Sequence, residues 1–124
     1  MITILTPLLE WEGNTDYAGT IASRNKRAMD YLAAGRPGRA VPLLEWTLAD
    51  CKRLLGRDHP TTVRARSNLA MGYRAAGRTA DAIPVLERTL ADCNRILGPD
   101  HRETRAAREA LAAWTSEQQG AAQG

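Results

Sequence analysis

The chain has 124 residues, a formal net charge of +3 and 44% hydrophobic residues, which predicts one soluble globular unit and excludes a disordered chain. Phe is absent, aromatic residues make up only 5%, and Ala, Leu and Arg are abundant. This composition favours helices over strands and predicts an all-α fold. The positive charge is too weak to indicate a nucleic-acid partner, and no apolar window approaches the roughly 20 residues of a membrane span.

The cysteines and the N-terminal residues are used to predict the cellular compartment of the protein. Cys51 and Cys93 are not in the C-x-x-C spacing of zinc or redox sites, and we interpret both as small core residues. Residues 2–9 are apolar but lack the basic start and the cleavage site of a signal peptide. We therefore expect a cytoplasmic protein with reduced thiols.

The sequence contains an internal repeat with a period of 42 residues. Residues 34–62 align without gaps to residues 76–104, and 18 of these 29 positions are identical, including Thr-Leu-Ala-Asp-Cys and Asp-His. The register extends in both directions. The matching triplets are Asp16, Thr20 and Arg24; Asp58, Thr62 and Arg66; and Asp100, Thr104 and Arg108.

Each repeat unit predicts two helices. In the second unit the first helix is expected over about 60–76, because proline suits the first helical position and Gly77 can end the helix. The second is expected over about 79–97, with Thr79 as N-cap and Gly98 as the stop. A terminal helix is expected over about 102–119.

These patterns divide the chain into three parts. The expected parts are an N-terminal helix remnant (1–13), a repeat domain (14–119, with units at about 15–56, 57–98 and 99–119) and a flexible tail (120–124). Residues 7–11 are identical to residues 42–46, but at an offset of 35, which indicates the remnant of a second helix. Its apolar side must be covered, either by the first unit or by a second chain in a homodimer.

The repeat resembles the tetratricopeptide repeat. The residues that carry the resemblance are Leu69, Ala70, Tyr73, Ala82 and Leu86, and the 42-residue length with the link over 55–60 resembles the kinesin-light-chain-like subfamily of actinobacterial type. The resemblance implies a bacterial protein and an α-solenoid of antiparallel helix pairs. It also implies close helix approach at the small residues Ala28, Ala70 and Ala112.

In that family the first helices line a concave groove, and the resemblance implies that this groove binds a peptide or protein segment. Asn68 matches the asparagine that contacts a bound backbone, methionines adapt to varied apolar ligands, and the cations favour an acidic partner. By position, the candidate peptide-binding residues are Asn25, Lys26, Met29, Arg64, Ser67, Asn68, Met71 and Arg74. The carboxylate clamp for chaperone tails is excluded, since only Asn68 fits it.

Two other sets of residues recur with the repeat. His59 and His101 lie in the turn between units, where we expect helix-start capping and not metal ligation. Arg24, Arg66 and Arg108 form a ladder that is either structural, with the charges paired to neighbouring helices, or a basic strip for an anionic partner.

No residue pattern indicates catalysis, a cofactor or a metal. We therefore interpret the protein as a non-catalytic protein–protein interaction module. The alternatives are a self-assembling module without a peptide ligand and, with less support, a binder of anionic polymers such as nucleic acids.

Overall fold

Five helices joined by short turns form the part of the chain that the computed structural model describes, which is the backbone of residues 13–123 and the side chains of residues 20–120. The helices are α1 (Gly13–Ala33), α2 (Pro37–Leu55), α3 (Pro60–Ala75), α4 (Thr79–Ile96) and α5 (Arg102–Gln123). Residues 13–123 contain no strand, so the all-α prediction is confirmed. None of these helices is long and apolar enough to cross a membrane. The predicted helix remnant lies outside the described residues, except for Gly13, which begins α1.

The helices end where the repeat pattern places their glycines. Gly77 and Gly98 have positive φ angles of 78° and 90°, a conformation that glycine adopts without steric cost. After α3, the backbone N–H of Arg78 donates to the carbonyl of Tyr73 at 2.8 Å. The prediction of Thr79 as N-cap is wrong: Arg78 is the N-cap and makes no side-chain capping bond, and Thr79 is already helical.

Each helix packs mainly against its neighbours in the chain. Helices α2, α3 and α4 each pack on the helix before and the helix after, and α1 touches α3 only slightly. This serial packing is that of an α-solenoid, which confirms the predicted fold. Helices α1, α3 and α5 are the first helices of successive units, and α2 and α4 are the second helices.

The apolar core is correspondingly divided into clusters between neighbouring helices. Ala28 and Ala70 are fully buried at these contacts, as predicted from the small residues. Ala112 is exposed, so its predicted role in close packing is wrong: in the other units a second helix covers this position, and residues 13–123 contain no second helix after α5. Helix α5 itself ends at Gln123, beyond the predicted end at 119 and within the predicted flexible tail.

Candidate functional site

One ion pair joins the first and second helices of each complete unit. Arg24 Nη1 donates to Asp50 Oδ2 at 2.8 Å, and Arg66 Nη1 donates to Asp92 Oδ2 at 2.5 Å. Both arginines are buried. The structural interpretation of the arginine ladder is therefore confirmed at these two positions.

The third ladder position differs. Arg108 is exposed and its guanidinium donates to the carbonyl of Pro99 at 3.1 Å. Because Arg24 and Arg66 are buried and paired, the three arginines do not form a continuous basic strip.

The repeated histidines cap helix starts. His59 Nδ1 accepts a hydrogen bond from the backbone N–H of Thr61 at 3.0 Å, and His101 Nδ1 accepts one from Glu103 at 3.1 Å. These bonds satisfy backbone donors that have no partner within the helix. The expected capping role is confirmed for both residues.

A pocket of about 650 Å³ lies between α1 and α3, with α2 at its base. We call it the proximal pocket. Its apolar lining includes Ile21, Cys51, Leu54, Leu55 and Ala65, and its polar lining includes Asn25, His59, Arg64 and Asn68. The volume falls within the range of about 300–1,000 Å³ that is typical of ligand pockets.

The same position one unit further along holds a second pocket, of about 370 Å³, between α3 and α5. We call it the distal pocket. Its lining includes Val63, Ser67, Cys93 and Ala107, which correspond to Ile21, Asn25, Cys51 and Ala65 of the proximal pocket in the 42-residue register. The two pockets thus form a row along the first helices.

The candidate peptide-binding residues are distributed unevenly over this row. Asn25, Arg64 and Asn68 line the proximal pocket, and Arg64, Ser67 and Met71 line the distal pocket. Arg74 lies beside the distal pocket, with its guanidinium 5.4 Å from the ring centre of Trp114. The structure places Lys26 and Met29 in neither lining.

An asparagine pair bridges α1 and α3 at the proximal pocket. Asn68 Nδ2 donates to Asn25 Oδ1 at 3.0 Å, and both side chains are half-buried. Among residues 20–120 they hydrogen-bond only to each other, so each amide retains groups that can donate to or accept from a peptide backbone. The bond fixes the orientation of Asn68 before any ligand binds.

The three candidate cations each contact a carboxylate. Arg64 donates to Glu103 at 3.0 Å, and Lys26 donates to Asp30 at 3.2 Å. Arg74 donates to Glu117 through two nitrogens. These six residues together carry no net charge, so they give an acidic ligand little electrostatic advantage.

The apolar base of the proximal pocket is a feature that sequence reasoning missed. The second helix contributes Thr47, Cys51 and Leu54, whereas the family resemblance pointed only to first helices. The signal was present in the sequence, because Thr47 and Cys51 both belong to the repeated Thr-Leu-Ala-Asp-Cys motif. Both repeat copies of that motif lie at the base of a pocket.

The two cysteines of that motif are poorly suited to nucleophilic chemistry. Burial is the main cause that raises the pKa of the Cys51 and Cys93 thiols above the ordinary value, so the reactive thiolate is disfavoured. Within residues 20–120 no three His, Cys, Asp or Glu side chains come together as a metal site would require.

Helix pairs in series, tied by repeated ion pairs and carrying a row of pockets on their first helices, define an α-solenoid. A profile of the tetratricopeptide repeat family matches residues 17–93 and again residues 61–123. The chain belongs to the tetratricopeptide repeat family, whose repeats generally mediate protein–protein interaction and typically form non-catalytic scaffolds.

Solved structures agree with this assignment. Two crystal structures of nearly identical TPR-like repeats, from a candidate kinesin light chain of Podosopora anserina and from a single-residue variant of it, are each 27% identical to this chain with a TM-score of 0.74. Each alignment covers 82% of this chain and 48% of the other, so this chain spans about half the length of those proteins. The kinesin-light-chain-like resemblance is thereby confirmed. A search of curated proteins finds no match.

Proposed function

We propose that this chain is a non-catalytic module that binds a short extended segment of a partner protein along the row of pockets on α1, α3 and α5. The observation that carries the proposal is the repetition of the pocket in register with the repeat. Two equivalent pockets, one unit apart, suit an extended ligand whose side chains enter them in turn.

The proximal pocket is proposed to bind an apolar side chain of the partner. Its lining is more apolar than polar, as in most sites that bury a ligand side chain. The asparagine pair at its edge supplies amide groups for the ligand backbone, and an amide that is already held in place loses less entropy on binding. Because Lys26, Arg64 and Arg74 are paired with carboxylates, an apolar anchor is favoured over the acidic segment expected from sequence.

The absence of catalysis is part of the same proposal. The histidines that recur with the repeat are used as helix caps, and the thiols are buried with raised pKa values. Both residue types, which could otherwise act as base or nucleophile, thus have a structural role here.

The test uses a phage-displayed library of short linear peptides selected against the whole protein. Asn68→Ala removes the bond to Asn25, and Ala22→Phe places a ring at an exposed position that lines the proximal pocket. We expect each change to weaken the selected peptides by about tenfold or more, the effect of losing one dominant contact. The matched control is Ala49→Phe, an exposed position on α2 outside both pockets, which should bind like the unmodified protein.

Two results would count against the proposal. If the library yields no binder, or if selected peptides bind Ala22→Phe and Asn68→Ala as well as the control, the row of pockets is not the binding site. Self-assembly through residues 1–12 is then the competing function. Light scattering tests it, since a dimer that becomes a monomer when residues 1–12 are deleted would support that alternative.

A further inference from the structure

A third pocket, of about 450 Å³, lies between the second helices α2 and α4 and has α3 at its base. It shares no lining residue with the proximal or distal pocket. We call it the cationic pocket. The lining residues that matter here are the cations Lys52, Arg57, Arg66 and Arg88 and the apolar residues Leu48 and Leu69.

The positive charge of the cationic pocket exceeds the negative charge around it. Arg66 is neutralised by Asp92, but Lys52 and Arg88 form no ion pair with any side chain of residues 20–120. Arg57 lies 3.9 Å from both Asp58 and Asp92, so it is only weakly paired. None of the described lining residues carries a carboxylate.

The two carboxylates that Arg57 contacts also accept hydrogen bonds from another arginine. Arg95 donates to both oxygens of Asp58, at 2.8 and 3.1 Å, and to Asp92 at 2.9 Å. Three guanidinium groups, those of Arg57, Arg66 and Arg95, therefore share two carboxylates. Lys52 and Arg88 line the same pocket and add two further positive charges.

In addition to burial, the excess of positive charge lowers the pKa of the buried Arg66. Burial is the main cause that lowers the pKa of Arg66, and the nearby charge of Asp92 opposes it. The positive charges of Arg88 and Arg57 lower the pKa further. Both exposed cations are thus close enough to act on the pocket's base.

Comparison of the repeat copies shows that the excess charge is not a by-product of duplication. The copies differ at each of the three exposed cations: Lys52 corresponds to Asn94, Arg57 to Pro99, and Arg88 to Trp46. In every case the cation is the member of the pair that lines the cationic pocket. By contrast, Arg66 is present in the other copy as Arg24.

Clustered like charges repel one another and favour the binding of an anion between them. We propose that the cationic pocket binds a phosphate group, free or carried by a ligand, through Lys52, Arg57 and Arg88. Guanidinium groups form paired hydrogen bonds to phosphate oxygens, and the lysine ammonium adds a point charge. The site is independent of the peptide groove.

Isothermal titration of the whole protein with pyrophosphate tests the site. The variant Lys52→Asn with Arg88→Trp replaces each cation by the residue of the other repeat copy, which this fold already accommodates. We expect it to bind pyrophosphate more weakly by about tenfold or more, because a hydrogen bond to a charged group contributes on that scale. Affinity should also fall as salt is added.

The matched control, Arg39→Asn with Arg105→Asn, removes the same charge from exposed positions outside the pocket. It should change the affinity by no more than about twofold, since distant exposed charges are screened. Equal losses in the two double variants, or no saturable binding by the unmodified protein, would overturn the proposal. Far-ultraviolet circular dichroism of each variant establishes that it is folded.

A second titration identifies the source of the phosphate. A phosphoserine peptide is compared with its unphosphorylated form and with pyrophosphate. Tighter binding of the phosphopeptide than of pyrophosphate, with the same loss in the Lys52→Asn and Arg88→Trp variant, assigns the phosphate to a modified partner protein. The opposite order assigns it to a free anion.

Discussion

Asp50 and Asp92 are the side chains through which each unit joins its two helices. Each accepts hydrogen bonds from two arginines, one on the preceding first helix and one three residues later on its own helix. Asp92 and Arg66 are the more deeply buried pair, with side-chain exposures of 5% and 7%. A buried charge of this kind is tolerated only while its partner is present.

Removing the charge of Asp92 should therefore destabilise the protein markedly. The variant Asp92→Asn keeps the size of the side chain but leaves Arg66 buried without its counter-ion. We expect the free energy of unfolding to fall by about 3 kcal/mol, measured by urea denaturation followed by circular dichroism.

The control is Asp81→Asn, which breaks an exposed ion pair with Arg78. It should change stability by less than about 1 kcal/mol. If the two substitutions lowered the free energy of unfolding equally, the buried Arg66–Asp92 pair would stabilise the protein no more than an exposed ion pair does.

The pairing of Arg64 and Arg74 with carboxylates could not be predicted from sequence. Arg64 and Glu103 are 39 residues apart, and Arg74 and Glu117 are 43 apart, so their contacts depend on how one unit is rotated on the next. By contrast, the ladder pairs follow from the repeat itself, because the same two positions recur together. Local and repeated contacts were thus predictable, whereas contacts between units were not.

At the scale of elements, the repeat predicted helix positions closely. Helices α3 and α4 each end one residue before the predicted end, because the glycines that stop them can be read directly. One error is local, since Arg78 and not Thr79 is the N-cap of α4, and the others lie at the last helix. Ala112 is exposed, although it corresponds to the buried Ala28 and Ala70 in the repeat register. Helix α5 also extends beyond its predicted end at residue 119.

Helices α2 and α3 approach each other closely at Gly72. A Cβ atom at this position would lie 2.7 Å from Leu44 Cδ1 and 3.5 Å from Val41 Cγ2. Leu44 is only 1% exposed, so it has little room to move away. The glycine thus allows the two helices to pack at their present distance.

Gly72→Ala should therefore destabilise the protein although alanine is the better helix former. Overpacking costs about 1–3 kcal/mol, against a gain in helix propensity of up to about 1 kcal/mol. We expect a net loss of about 1 kcal/mol, seen as a lower melting temperature. Gly120→Ala, where a Cβ meets nothing within 4 Å, should not lower it, and a stabilised Gly72→Ala variant would contradict the packing argument.

At the scale of the whole molecule, stability is divided among contacts between neighbouring helices. In such a stack a change at one end acts mainly on the adjacent unit. Trp114 is the residue that attaches α5: it is 7% exposed and packs with Ala70, Ala82, Leu86 and Ala107. The distal pocket, which Trp114 also lines, depends on this attachment.

Trp114→Ala should loosen α5 while α1, α2 and α3 stay folded. Truncating a buried tryptophan costs about 3–5 kcal/mol, and serial packing confines most of that loss to α5 and the α4 surface beneath it. Hydrogen exchange resolved by segment measures it, and the amides of α5 should lose protection first. The control Trp46→Ala, at a tryptophan that is 57% exposed and whose ring centre lies 3.7 Å from Arg24 Cζ, should leave the protection of α5 unchanged. If Trp114→Ala lowered protection equally in all five helices, the repeats would unfold as one cooperative core, and the distal pocket could not open independently of the proximal one.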